Sequence, residues 1–182
     1  MNDDELVIYG SWFEAIGQVI SAIGATARVS TEDGETDLKL IAIGEVMQSI
    51  GNALIAIGTD DTTEEFGHWI EVGGAATSAV GAAKEINGEE SEGVRLEMIG
   101  DGFQAVGSHI QGTAVDDERL VVAHDIQTTG ALLESVGLSV KLQGKRKVGE
   151  LLNAIGSWIQ ASGGWMQATV LTENHSGSND ER

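Results

Sequence analysis

Between Gly44 and Gly58 a glycine returns every seventh residue, at Gly44, Gly51 and Gly58, in a chain of 182 residues that contains no proline. The same spacing recurs at Gly10, Gly17 and Gly24, at Gly67, Gly74 and Gly81, at Gly100 and Gly107, at Gly130 and Gly137, and at Gly156 and Gly163. Seven residues are close to two turns of an α-helix, so each series marks one stripe of a helix. Glycine inside a helix costs about 0.8 to 1 kcal/mol relative to alanine, and only close packing offsets that. The spacing therefore predicts helices whose backbones approach one another along glycine seams, at the shallow crossing a strict seven-residue repeat favours.

With glycine as position a, position d is large and apolar, as in Phe13, Ile20, Met47, Leu54, Ile70, Phe103, Ile126 and Ile159. Position e is polar: Glu14, Gln48, Glu71, Gln104, Gln127 and Gln160 are its most distinctive members. Position f is small, as in Ala15, Ala22, Ala79, Ala105, Ala161 and Ala168. Around the helix d, g and a form one apolar stripe, which predicts a core built on d. The e side chains lie beside the glycines, where a carboxamide can bond across a close helix contact. Trp12, Trp69, Trp158 and Trp165 fall at position c, on the far flank, and are expected to fill the core.

The repeat has a longer period as well. Ile43–Gly51, Ile99–Gly107 and Ile155–Gly163 align at an interval of 56 residues, and the pairs Asp3-Asp4, Asp60-Asp61 and Asp116-Asp117 stand before the odd helices as N-caps. Three tandem αα-hairpins follow, at residues 3–59, 60–115 and 116–171, with a disordered polar tail at 172–182. Helices are expected near 5–28, 37–58, 63–86, 93–114, 118–141 and 148–170. Short loops make neighbours antiparallel, so the fold class is all-α, a six-helix bundle or a short helical repeat array.

Charge and composition exclude several functions. The net charge of −19 argues against nucleic acid and anionic membrane surfaces, and the lack of cysteine removes disulfides and thiolate metal sites. The acidic start Met1-Asn2-Asp3-Asp4-Glu5 is unlike a secretory leader, and no apolar run reaches the roughly 18 residues of a membrane span; a cytoplasmic location is the expectation. Glu65-Phe66-Gly67-His68 has the Glu-x-x-His spacing of di-iron bundles, but no second copy accompanies it, and no metal is expected. Gly144-Lys145-Arg146-Lys147 lacks the framing of a phosphate-binding loop, and the serines lie in no nucleophile motif. Neither a catalytic residue nor a cofactor is expected.

Gly10 to Gly24 and Gly156 to Ala168, which share Gly-Ser-Trp followed by a polar residue at e, resemble a family of repetitive bacterial proteins of unknown function, known mainly from bacilli and their relatives. The resemblance covers most of the chain and implies no activity. The leading expectation is a non-enzymatic structural or self-associating helical protein, as a homo-oligomer. The alternative is an amphipathic protein that binds a membrane or an apolar ligand, because the apolar arc from c through g and d to a is wider than a two-helix contact needs.

Overall fold

The computed structural model describes residues 2–30 and 34–180. Among them are six helices and no strand: α1 Asp3–Ser30, α2 Glu35–Gly58, α3 Thr62–Ile86, α4 Glu90–Ala114, α5 Glu118–Leu142 and α6 Arg146–Asp180. Their ends lie within three residues of those expected, except that α6 runs on to Asp180 where a disordered tail from 172 is expected. Arg119 explains part of this extension, since its guanidinium reaches Glu173 at 2.8 Å and Asn174 at 3.0 Å. The expected loop after Ser30 falls largely outside the described residues.

Caps start the odd helices. Asp61 accepts from the backbone N–H groups of Thr63 and Glu64 at 2.8 and 2.9 Å, and Asp117 from that of Arg119 at 2.9 Å. In α1 the cap is Asn2 rather than the aspartates, its Oδ1 accepting from Glu5 N–H at 2.8 Å while Asn2 N–H donates back to the Glu5 carboxylate. That leaves Asp3 and Asp4 inside the first turn, where their charge suits the helix dipole. Gly88 and Gly144 turn the chain between α3 and α4 and between α5 and α6 with φ of +86° and +84°, a conformation that favours glycine.

Among the described residues the backbone of each helix packs on those of the two next to it and α6 closes onto α1, while helices that are not neighbours meet through side chains across the axis. The result is a closed ring rather than an open array. The tightest contacts lie within the hairpins α1–α2, α3–α4 and α5–α6, along the glycine stripes. A Cβ added at Gly10, Gly17 or Gly24 would lie 2.7 Å from the carbonyl oxygen of Gly51, Gly44 or Asp37, respectively. As one residue number rises by seven its partner's falls by seven, the mark of an antiparallel seam. Gly67 meets Gly107, Gly74 meets Gly100 and Gly81 meets Gly93, and in the third hairpin Gly130 faces Gly156 and Gly137 faces Gly149. Gly163 faces the buried Ala123, and Gly58 faces Asp3.

The other three contacts use the small f residues. Ser49 donates to the carbonyl of Val72 across α2–α3, and Ser135 to that of Met98 across α4–α5. Positions a and f lie about 140° apart at 100° per residue, near the roughly 120° interior angle of a hexagon. Two small flanks at that angle let six helices close on themselves. The wheel then fixes the rest: e and b point to the axis, while c, g and d point out.

This reverses the orientation expected for the apolar stripe. Ile16, Ile23, Ile43, Ile50, Val106 and Val136, all at g, are exposed, and the d residues are half-buried, or exposed in the case of Phe103. Trp69, Trp158 and Trp165 are about half exposed, so they do not fill the core. Buried aliphatic side chains are mostly alanine, with Ile55 the largest that is fully enclosed.

Candidate functional site

The interior of the ring is a column of polar side chains, drawn from positions e and b of all six helices. Glu45, at b of α2, is its hub. One carboxylate oxygen accepts from Ser21 Oγ and Gln48 Nε2, each at 2.9 Å, and the other accepts from Gln104 Nε2 at 3.0 Å. Gln104 Oε1 accepts in turn from Gln160 Nε2 at 3.0 Å. The glutamines of α2, α4 and α6 thus meet around the axis, through helices that are not neighbours. Gln127 of α5 donates to Glu14 of α1 at 2.9 Å, as does Gln18 at 3.0 Å, and Glu71 lies within electrostatic reach of Glu14. All six expected polar-seam residues are buried in this column; Gln104, Gln127 and Gln160 bond across the axis, whereas Gln48 bonds to Glu45 of its own helix and, at 3.5 Å, across the α1–α2 glycine seam to Ser21.

The column has three levels. At the end that holds the start of α1, buried His68 places Nδ1 2.7 Å from Asn52 Oδ1, so that nitrogen donates. Its Nε2 lies 3.8 Å from Glu64, whereas Glu65 accepts from Trp69 Nε1 at 3.2 Å. The Glu65–His68 pair suggested by spacing is therefore not brought together. In the middle lies a small cavity of about 10 Å³ lined by serines and carboxylates. At the opposite end, which carries the connections within the hairpins, Glu85 binds Arg28 at 2.8 Å and Lys141 at 3.1 Å, with Glu150 3.8 Å from both cations. This ionic cluster closes the column there.

Position e alone misses half of the site. Glu45, Asp101, Gln18, Asn52, His68, His124 and Ser157 stand at b, where the signal was partial: the same position holds Ala75, Ala82 and Ala131 beside the polar e residues Ser78, Glu85 and Glu134. Arg28, Glu85, Lys141 and Glu150 join only when α1, α3, α5 and α6 close the ring, which no spacing reveals.

The outer surface is the converse. Among the described residues twenty-two large apolar side chains are exposed, and they occur on all six helices. On outward positions the band from Trp12 to Ala27 in α1, Leu40 to Ile57 in α2, Phe66 to Ala83 in α3, Leu96 to Ile110 in α4, Ile126 to Val140 in α5 and Leu151 to Met166 in α6 carries no acidic, lysine or arginine side chain. Asp125 and His109 stand at its rim. At about 1.5 Å per residue these stretches are roughly 22 to 27 Å tall. Of the described helices, α1 and α2 are long and apolar enough to cross a membrane by length and composition.

Fold and site together define a class: a closed six-helix ring with glycine seams, a polar axis and an apolar exterior. The chain belongs to the family of unknown function DUF6944, whose model matches residues 5–168 and so takes in all six helices. No curated protein and no solved structure matches it.

Proposed function

We propose that this chain is a non-enzymatic, membrane-embedded helical barrel, with lipid against its outer belt and a polar column along its axis. The observation that carries this reading is that the apolar belt surrounds the whole ring while carboxylates, amides and histidines fill the interior. A partner protein or a second copy covers one sector of such a surface; a bilayer covers every sector. The belt is close to the roughly 30 Å hydrocarbon thickness. Its polar interior is the arrangement expected of ionisable groups at membrane depth, which face the bundle and not the lipid.

Charge supports an orientation. Arg28, Lys39, Lys84, Arg95, Lys141, Lys145, Arg146 and Lys147, eight of the ten basic residues, cluster at the end with the hairpin connections. By the preference of basic loops for the cytoplasmic side, that end faces the cytoplasm. The groove on the outer face of α2 and α3, lined by Val46, Ile50, Ala76 and Val80 with about 330 Å³ of space, suits an acyl chain. The membrane reading takes the place of the cytoplasmic location expected from the chain's acidic start.

The second reading is the self-associating module, favoured by the modest apolarity of α3 to α6: neighbouring copies then cover the belt, and the location is cytoplasmic. Flotation separates the two. Purified protein, mixed with neutral phosphatidylcholine vesicles as detergent is removed, rises with the vesicles through a density gradient and resists extraction by alkaline carbonate. Protein left at the bottom as a discrete oligomer of defined mass would establish the second reading instead.

A further inference from the structure

We propose that the carboxyl groups at the middle of the axis form a proton-binding site, loaded through Glu97 from the end of the barrel that carries the hairpin connections. At this level each hairpin supplies one hydroxyl and one carboxyl group. Ser21 donates to Glu45 at 2.9 Å, Ser78 to Asp101 at 2.9 Å and Ser157 to Glu134 at 2.6 Å. The cavity between them, of about 10 Å³, is also lined by Glu97 and Asn153. Among the described residues no ion pair reaches these four acids; Arg28 and Lys141, within electrostatic reach of Glu97, are bound by Glu85 and lie beside Glu150. Asp101 is within reach of both Glu45 and Glu134. A buried carboxylate without a cation is costly, its like-charged neighbours add to the cost, and a proton removes both.

Two observations give the protons a place and a route. Glu134 Oε1 and Glu97 Oε1 have no hydrogen-bond partner, although both residues are more than nine-tenths buried and line the cavity. An oxygen of this kind is a proton acceptor, and the cavity has room for about one water molecule to pass a proton between the two acids. The route continues toward solvent. Glu97 is within electrostatic reach of Glu85, whose Oε1 is likewise buried without a hydrogen-bond partner. Glu85 binds Lys141, and Lys141 lies 4.0 Å from the exposed Glu90. Each transfer breaks one O–H bond and forms another, from the Glu85 carboxyl to Glu97 and from Glu97 through the water to Glu134, with no other reactant. Toward the start of α1, Glu45 meets the amides of Gln48 and Gln104, which do not take up protons, and Glu14 and Glu71 are bonded to Asn52. Access is therefore one-sided. On the membrane reading it is from the cytoplasmic face, but the site itself stands whether or not the belt meets lipid.

Infrared spectroscopy of the intact protein in detergent tests this. At neutral pH the expected spectrum holds a carbonyl band of protonated carboxyl groups, part of which is lost in Glu134→Gln. On transfer to heavy water that part shifts as deuterium replaces the proton. In Glu97→Gln, which keeps the size of the side chain but relays no proton, the shift is expected to be at least tenfold slower, with backbone amide exchange unchanged. The surface control Glu92→Gln keeps the wild-type rate. A spectrum from which Glu134→Gln removes no such band, or a rate unaltered by Glu97→Gln, overturns the proposal. Where an amide variant does not fold, Asp101→Asn takes the place of Glu134→Gln, and Glu97→Met, apolar and of similar length, that of Glu97→Gln. Because the protein stays in detergent, failure here is distinct from failure to float with vesicles.

Discussion

Gly73 and Gly74 are adjacent, and the structure gives them opposite tasks. Gly74 lies in the α3–α4 seam, where a Cβ would meet the Gly100 carbonyl oxygen at 2.7 Å; Gly73 points outward with nothing within 4 Å. Gly44 is tighter still, its Cβ falling 2.5 Å from Gly17 O and 2.7 Å from Ser21 N, both backbone atoms that no rotamer change can move aside. Gly44→Ala is therefore expected to destabilise the ring by about 1 to 3 kcal/mol through overpacking, while Gly73→Ala stabilises it by about 0.4 to 1 kcal/mol through the unfolded chain. Thermal unfolding followed by circular dichroism measures both, and equal effects of the two substitutions would refute the seam. This distinction was legible beforehand, because heptad position a falls on Gly74 and not on Gly73. The task of Glu45 was not, since a carboxylate at b reads as solvent-facing until the ring encloses it.

At the scale of the helix, α5 and α6 are tied at one end by Asp117. Arg119 donates to its carboxylate through the side chain and the backbone N–H, and Asn174 of α6 donates at 3.1 Å. These bonds, the Arg119 side chain first, lower the Asp117 pKa from 3.8 to about 2. A depressed carboxylate pKa contributes stability above the unfolded value and loses it as pH falls through the folded one. The contribution of Asp117 is thus complete above about pH 4 and gone near pH 2. Asp117→Asn should lower the denaturation midpoint at pH 6 and match wild type at pH 2; a gap that persists at pH 2 would place the effect elsewhere. Helix ends were readable because caps and glycine turns are local chemistry. The last turns of α6 were not, because the polar run from Glu173 gains its partners from Arg119 and Asp117, far away in sequence.

For the whole molecule, the apolar and polar arcs could be drawn from the heptad, but the sense in which they face could not. A helix with one contact flank buries its apolar stripe; a helix with small residues at both a and f has two flanks, and six of them close around whatever lies between. Here that is e and b, and Ile16, Ile50 and Val136 are left outside. The central claim, that these side chains meet lipid, is open to a direct measurement because the chain has no cysteine to interfere with labelling. Single cysteines at positions 16, 50 and 136, carrying nitroxide labels in protein reconstituted into phosphatidylcholine bilayers, report collision rates with oxygen and with a water-soluble nickel chelate. The account predicts that oxygen dominates at all three positions and that the labels stay mobile, as befits lipid on every side. Access by the nickel chelate, or immobilisation and dipolar broadening of the spectra at all three, would mean that the belt is covered by water or by copies of the chain, and would contradict it.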